Sequence, residues 1–386
     1  MNRIITFLKN LRAYKWLQTL RDGKIKKDIS PNLLYILQYE KERLERYDII
    51  VRLLAIENLQ GLNDFGVNLY NKMQVSREKY LHDHGIKIKS EDLFKTKKDT
   101  LKNLVKSFEV NGFDVKKTLI VNSDYKLIDG SHRLACALSF NSKSITIKSA
   151  HKNRVPYGLN WFENYFSEDE IKALRKKEDE IFEQLDVRNI LYEILSLEQQ
   201  NFGRGNFYQS NEELNISGQR PTAKRFEIYQ LDSLLMPHHD VLDIGSNCGF
   251  ISLEAAKIVN SVTGVEISEP LVLISRIAKR KLKVGNTEFI SGDFSKIEFD
   301  KKFDFIFSFA VHYWVGLSIK RYAEKLKSLL KPNGIILIES QDIERFDTDW
   351  DEKISIVLSV GFEVIKEGSL KDDGVISRRF AVFKLI

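Results

Sequence analysis

Cysteine is scarce in this chain: Cys136 and Cys248 are its only two. Each sits inside a regularly patterned stretch, which argues against a disulfide framework and makes a reducing cytoplasm the expected home. Long apolar runs are missing as well. None approaches the roughly 20 residues of a membrane span, and no secretory leader is recognisable, so a soluble protein is expected. A strong charge of one sign is the third absence: 60 lysines and arginines stand against 54 aspartates and glutamates, a net +6 spread along the chain. Nucleic acid would favour a concentrated basic stripe, so this balance argues against it as a partner. The length of 386 residues suits two domains, each with its own core, and a connector.

The most informative stretch is residues 240 to 266, DVLDIGSNCGFISLEAAKIVNSVTGVE. An apolar run around Val241 and Leu242 has strand character, and Asp243 ends it. Gly245 and Gly249, with Asn247 between them, form the turn that opens the next helix. Glycine is required where the backbone turns sharply and lies close to a ligand. Glu266 closes the following run, placed to accept both hydroxyls of a ribose. The spacing Asp-x-Gly-x-x-x-Gly lacks the Gly-x-Gly-x-x-Gly of a pyrophosphate cradle, so a nucleoside without phosphates fits better.

Residues 1 to 21 set Ile4, Ile5, Phe7, Leu8, Leu11, Trp16, Leu17 and Leu20 among five basic residues. That pattern is a basic amphipathic helix, suited either to packing against the rest of the protein or to lying on an anionic membrane. A helical region from Pro31 to about Gln74 follows. His82-Asp83-His84 lacks further ligands at metal-site spacing and reads as a polar turn, so no metal is assigned.

Residues 98 to 140 form a helix ending near Asn111-Gly112, a strand at Thr118 to Val121, a second at Lys126 to Asp129, and a helix from Leu134 to Leu138. The intervening Asp129-Gly130-Ser131-His132-Arg133 puts free N–H groups, His132 and Arg133 at a helix start, a place for a phosphate. This stretch resembles the ParB/sulfiredoxin superfamily, whose members share the helix, strand, Asp-Gly-x-His-Arg turn and helix. Ser131 stands where sulfiredoxins carry cysteine, which argues against sulfinic-acid repair, and no helix-turn-helix follows residue 150. A further branch consists of small-molecule kinases. The resemblance implies that Gly130, Ser131, His132 and Arg133 cradle phosphate with Asp129 near a transferred group. Two readings stay open: a domain that only binds a phosphorylated ligand, and a kinase using ATP or ADP with Mg2+.

The helix after Ser167-Glu168-Asp169-Glu170 is highly charged and reads as a connector. Residues 202 to 218 are rich in glycine, asparagine and serine and mark the entry to a second domain. There Arg220 and Arg225 are candidates to reach the carboxylate of an amino-acid-bearing cofactor, or the acceptor, and a plain helix cap remains the other reading. Beyond Glu266, strands at Glu288 to Ile290, Phe303 to Phe309 and Ile335 to Glu339 alternate with helices, implying a parallel sheet covered on both faces. Two last runs, around 362 to 365 and 379 to 385, suggest an antiparallel edge.

Residues 206 to 386 resemble the class I S-adenosylmethionine-dependent methyltransferases. By that resemblance the Asp243 to Gly249 loop passes beside the methionine portion, Glu266 binds the ribose, Asp293 and Phe294 meet the adenine, and Ser308 joins the cofactor set. Where nucleic-acid amino-methyltransferases carry Asp/Asn-Pro-Pro-Tyr/Phe, this chain has Ser308-Phe309-Ala310-Val311-His312, which counts against base methylation. His312 is the candidate catalytic residue, as base for a hydroxyl or as donor to a phosphate acceptor; packing under Trp314 is its other reading.

The expected fold is therefore α/β: a Rossmann-like seven-stranded methyltransferase sheet over residues 206 to 386 and a separate α+β ParB/sulfiredoxin-like domain over 91 to 165. A helical segment, 1 to 90, precedes them and a charged helical connector, 166 to 205, joins them. The expected activity is O-methylation of a sugar, glycan end or phosphate, with surface polysaccharide synthesis or chain capping as the setting. Partners would be a small-molecule or glycan acceptor carrying phosphate, with peripheral membrane contact through residues 1 to 21. The contrasting class is a nucleic-acid modifying methyltransferase that uses the ParB-like domain for recognition.

Overall fold

A computed structural model describes residues 26–84, 93–114, 116–150, 157–198 and 206–386. The amphipathic segment at residues 1 to 21 lies outside these, and so does the membrane contact expected of it. Among the described residues no helix is long and apolar enough to cross a membrane. The chain divides into two compact units with the boundary between residues 186 and 187.

In the first unit, strands β1 (Lys26–Ile29), β2 (Leu119–Val121), β3 (Leu127–Asp129) and β4 (Ile145–Ser149) form one sheet in the order β1-β4-β2-β3. Residues of the expected helical segment 1 to 90 thus supply an edge strand to the sheet that carries the Asp129 turn. Helix α1 (Tyr47–Leu59) is buried on every side over its first ten residues, as expected of a helix at the centre of a core. It packs against α2 (Gly66–Asp83), α3 (Ser131–Ser139) and α4 (Glu168–Gln184). Gly66 makes one of these approaches feasible, because a Cβ there would lie 1.9 Å from the Leu54 carbonyl oxygen.

Helix α4 starts at a capping box: Ser167 Oγ accepts from Glu170 N and the Glu170 carboxylate accepts from Ser167 N at 2.7 Å. Its charged face is solvated, but Ile171, Leu174 and Phe182 are buried and Glu178 is fully enclosed, accepting from Tyr47 Oη at 2.5 Å. It belongs to the first unit's core. The next helix, α5 (Val187–Leu195), belongs to the second unit, so the boundary falls inside the expected connector, near 187 instead of 206.

The second unit adds α6 (Thr222–Tyr229), β5 (Asp240–Ile244), α7 (Phe250–Ala255), β6 (Ser261–Glu266), α8 (Glu269–Leu282), β7 (Thr287–Ser291), β8 (Phe303–Phe309), α9 (Ile319–Leu329), β9 (Leu330–Glu339), α10 (Trp350–Ser359), β10 (Phe362–Leu370) and β11 (Arg378–Leu385). Seven strands form one sheet in the order β7-β6-β5-β8-β9-β11-β10. Alternation along β8 shows how both faces are filled: Phe305 and Phe307 pack with Phe226 and Tyr229 of α6 and Ile251 of α7, while Ile306 packs with Tyr322 and Leu326 of α9. The last strand is antiparallel, as its run suggested, but it inserts between β9 and β10 and leaves β10 at the edge. The four residues Lys331 to Gly334 bulge out within β9: Phe303 pairs with Leu330 and Phe305 with Ile335. The switch point of this topology, where chain order reverses, lies between β5 and β8.

Candidate functional site

At the carboxyl end of β5 the chain enters the glycine loop. Gly245, Asn247 and Gly249 all have positive φ, +69°, +55° and +70°. Gly245 N and Ser246 N donate to the Val265 carbonyl at 2.8 and 3.0 Å, tying the loop to β6. A Cβ on Gly245 would come within 2.5 Å of Val311 Cγ2. Gly249 caps α7 with its Cα against the Phe289 ring, so its role is packing instead of contact with a ligand. Gln209, on the short strand Phe207–Gln209, completes the turn: its Oε1 accepts from Phe250 N at 2.9 Å and satisfies the start of α7.

A cavity of about 570 Å³ opens over these strand ends. One side is lined by Gly245, Asn247, Glu266, Ile267, Asp293 and Phe294. Glu266 is buried, and its two oxygens accept from Ser268 N at 2.9 Å and Asn247 N at 3.0 Å. Burial raises its pKa against these N–H donors. The amides set the carboxylate in one orientation at the cavity wall, with lone pairs left for a diol. Asp293 accepts from Ser295 N and Oγ at 2.9 and 2.7 Å; burial alone would raise its pKa, but Ser295 and Lys296 bring it below the ordinary value. Phe294 lies beneath, its ring 4.9 Å from Lys325 Nζ.

Besides Gly249, three sequence candidates of this unit sit outside this cavity. Asp243 is buried behind the loop, where its Oδ2 accepts from Ser252 Oγ at 2.6 Å and its Oδ1 has no partner; burial pushes its pKa up to about 6. Ser308 shares a hydrogen bond of 2.8 Å with Tyr322 Oη inside the core. His312 is the main correction. Ala310, in the left-handed region at φ 51°, turns the chain sharply after β8, so that Val311 and Trp314 line the cavity while His312 is buried away from it. Its Nε2 lies 3.6 Å from Asp347 Oδ1, which also holds Lys353 Nζ at 2.5 Å. Burial lowers its pKa, partly opposed by Asp347. His312 is a packed side chain, and no histidine lines this cavity.

The opposite side of the cavity holds an ionic cluster. Glu339, the last residue of β9, is fully buried and accepts from Arg225 Nη2 and Tyr229 Oη at 2.5 Å each through Oε2, and from Arg378 Nη1 at 2.7 Å through Oε1. Burial alone would raise its pKa; the arginines more than offset that and hold it near 2. Arg378 Nη1 also donates to Tyr208 Oη at 2.8 Å. Arg220 bridges Asp372 and Asp373 on the β10–β11 loop, with Nη2 2.6 Å from Asp373. Arg225 stacks over the Phe309 ring at 4.9 Å, and its Nε and Nη1 are buried without a hydrogen-bond partner. Of these residues sequence reading identified Arg220 and Arg225 alone. Glu339 carried the signal that marked Asp243 and Glu266, a carboxylate closing an apolar run; Arg378 and Tyr208 carried none.

In the other unit, the Asp129 to Arg133 turn is contiguous as expected, and Gly130, at φ 107°, caps α3 with Leu119 too close for a Cβ. Its side chains diverge. Arg133 Nη1 donates to the Thr118 carbonyl at 2.6 Å and Nη2 lies 3.3 Å from the exposed Asp129. Ser131 is buried and accepts from Arg46 Nη2 at 2.7 Å, and His132 Nε2 shares a hydrogen bond of 2.8 Å with Tyr70 Oη.

Residues 235–361 match a family model described as a methyltransferase domain. Among curated proteins, a sterol 24-C-methyltransferase of Gibberella zeae is 26% identical over 257 residues, 58% of this chain and 66% of that protein. A malonyl-[acyl-carrier protein] O-methyltransferase of Ilyobacter polytropus is 33% identical over 125 residues, 32% of this chain. The chain spans just under two thirds of the first and 46% of the second. Among solved structures, the N-methyltransferase NodS of Bradyrhizobium japonicum aligns over 42% of this chain and 96% of its own at 17% identity, TM-score 0.35. A methyltransferase of Thiobacillus denitrificans in complex with S-adenosyl-L-homocysteine aligns over 42% and 90% at 16% identity, TM-score 0.36.

Proposed function

We propose that this chain, whose C-terminal part is a class I S-adenosylmethionine-dependent methyltransferase domain, transfers methyl groups to an oxygen that is already anionic, a carboxylate or a phosphate. The residues present fit the cofactor: Glu266 offers an oriented carboxylate to a ribose, Asp293 and Phe294 offer an acceptor and an apolar face to an adenine, and Gly245 leaves room for close approach. When bound, S-adenosylmethionine supplies a methyl on a sulfonium, and the protein's task is to align a nucleophile with it.

The observation that carries the acceptor class is Arg225. It lines the cavity, is 1% exposed, and keeps two guanidinium nitrogens without a hydrogen-bond partner, Nε lying 4.0 Å from Asp372 Oδ2 and Nη1 unengaged by any described group. A buried N–H left unmade costs about 1–3 kcal/mol, which an anionic ligand would relieve. An anionic oxygen also needs no base, in keeping with a cavity that no histidine lines. The Ilyobacter relative is an O-methyltransferase; that chemistry is the one proposed here.

For the first unit we propose a ParB/sulfiredoxin-like phosphate-binding role, so that a phosphorylated sugar or glycan end would suit both units. Isotope-labelled S-adenosylmethionine offered with carboxylates and sugar phosphates tests the transfer, and Arg225→Met tests the role of the cluster. The reading expects methyl transfer, with an acceptor KM raised at least about tenfold in the variant and S-adenosylmethionine affinity kept. If the variant instead loses cofactor affinity with acceptor KM unchanged, Arg225 holds the cofactor's own carboxylate and the acceptor class falls.

A further inference from the structure

Single exposed apolar side chains are ordinary on a protein surface; a group of them beside a cavity is not. At the mouth of the cavity in the second unit, three loops hold such side chains outward. The first follows β8. His312 opens the helical turn His312–Val315 and is turned into the core, so the next two residues, roughly 100° and 200° further round the turn, are left outside: Tyr313 and Trp314 are both exposed. The second loop follows β9. Phe346 N donates to the Asp342 carbonyl at 2.8 Å, which closes the loop on itself, and the exposed Phe346 ring lies 5.6 Å from that of Tyr313. Tyr313 is in turn 5.3 Å from Trp314. The three rings form a row that starts at Trp314, in the cavity wall, and continues through Tyr313 and Phe346, which lie outside it.

The third loop joins β10 to β11. Asp373 Oδ1 accepts from Val375 N and Ile376 N at 2.9 Å each, while its Oδ2 is held by Arg220 at 2.6 Å. That clamp keeps Val375 77% exposed and sets it, with Ile376, in the cavity wall. Hydrogen bonds of the fold itself therefore hold these side chains in water. Trp314, Val375 and Ile376 line the same cavity as Arg225. A buried guanidinium with an unengaged N–H and an apolar wall in one cavity suit a ligand that has an anionic end and an apolar body. A wholly polar acceptor would leave the wall in water, and a wholly apolar one would leave Arg225 unmatched.

We propose that the acceptor is an amphiphile, whose anionic oxygen meets Arg225 and whose apolar chain leaves the cavity across Trp314, Val375 and Ile376 and over the row of rings. The inference rests on the reading that the acceptor oxygen is anionic, and it adds the class of molecule that carries that oxygen. A carboxylate and a phosphate at the end of an alkyl chain present the same chemistry to this site.

Calorimetric titration of the full chain, saturated with S-adenosyl-L-homocysteine, tests it. The probes are straight-chain carboxylates and alkyl phosphates of about four to ten carbons, with primary alcohols of the same lengths as neutral controls. Affinity for the anions should rise at least about twofold per added methylene; a fully buried methylene is worth about fourfold, and this wall is open on one side. The tighter of the two anionic series tells carboxylate from phosphate. Trp314→Ala and Val375→Ser should each weaken the longest ligand at least about fivefold, while the shortest stays within about twofold and S-adenosyl-L-homocysteine affinity is kept. Val375 is exposed enough that its variant should fold as the wild type does, and it carries the test should Trp314→Ala not fold. Anions bound with the same affinity at every length would overturn the amphiphile and spare the anionic acceptor; if Trp314→Ala then also lost binding to anionic phospholipid vesicles, the apolar wall would belong to a membrane contact. Alcohols bound as tightly as the anions, with the dependence on length kept, would overturn the anionic acceptor and with it the amphiphile. No binding by any member of the three series at millimolar concentration would overturn both.

Discussion

Replacing Glu339 by glutamine isolates the ionic cluster that shapes the acceptor side of the cavity. Its carboxylate is held near 2, against an ordinary 4.5, because Arg225, Arg378 and Arg220, with the Tyr229 hydrogen bond, outweigh the effect of burial. That difference corresponds to about 3 kcal/mol of folded-state preference for the ionised form. The amide keeps the shape but leaves Arg225 and Arg378 buried without their shared counter-ion, a change of the kind that costs about 3–5 kcal/mol. We therefore expect Glu339→Gln to lose about 3 kcal/mol at pH 7. The sign with pH follows from linkage: with a lowered folded pKa, the stabilisation is complete above about 4.5 and is lost as pH falls towards 2, so the gap between wild type and variant should narrow by about half at pH 3. Urea denaturation measures it, provided the transition belonging to the C-terminal unit is recognised as the one that added S-adenosylmethionine shifts. A loss below about 1 kcal/mol at pH 7, or a gap that stays constant down to pH 3, would refute the reasoning. Adding Arg225→Met to the variant should recover part of the loss, because it removes one of the two uncompensated charges.

Asp243 predicts the opposite pH dependence: with its folded pKa raised to about 6, its contribution is most favourable below about 4 and declines as pH rises through 6. Asp243→Asn should accordingly stabilise the unliganded protein by up to about 3 kcal/mol at pH 7.5 and by little at pH 4, as followed by melting temperature. Gly245→Ala should weaken S-adenosylmethionine binding at least about tenfold in a calorimetric titration, since the loop must move to clear a 2.5 Å approach to Val311 and escape a positive φ. His312→Gln should keep its methyl-transfer pH profile, with any loss appearing in stability; a vanished limb near neutral pH would restore the histidine as a base.

Much of the second unit was legible along the chain. Residues 240 to 266 declare a strand, a glycine turn, a helix and a strand, because apolar period and turn chemistry act over a few residues, and Glu266 follows as the end of such a run, whereas Asp293 and Phe294 were implied by the family resemblance. The ordering of strands and helices implied a parallel sheet for the same reason. Less was legible where direction matters. His312 stands three residues beyond a strand end that faces the cavity, yet one left-handed residue, Ala310, sends it into the core.

Long-range pairing was decided by tertiary structure alone. Glu339 meets Arg225 across 114 residues and Arg378 across 39, Arg220 meets Asp372 across 152, and Ser131 meets Arg46 across 85. No spacing rule connects such partners, since each pair exists only after two elements have packed. The charged helix at Glu168–Gln184 makes the same point: its composition reads as a solvated arm, and a single buried carboxylate at Glu178, with Ile171, Leu174 and Phe182, docks it to the first unit. The chain by itself determined where strands, turns and helices form, through interactions a few residues long; which side chains converge, and on which ligand, was decided by packing, because burial makes an unpaired charge too costly to leave alone.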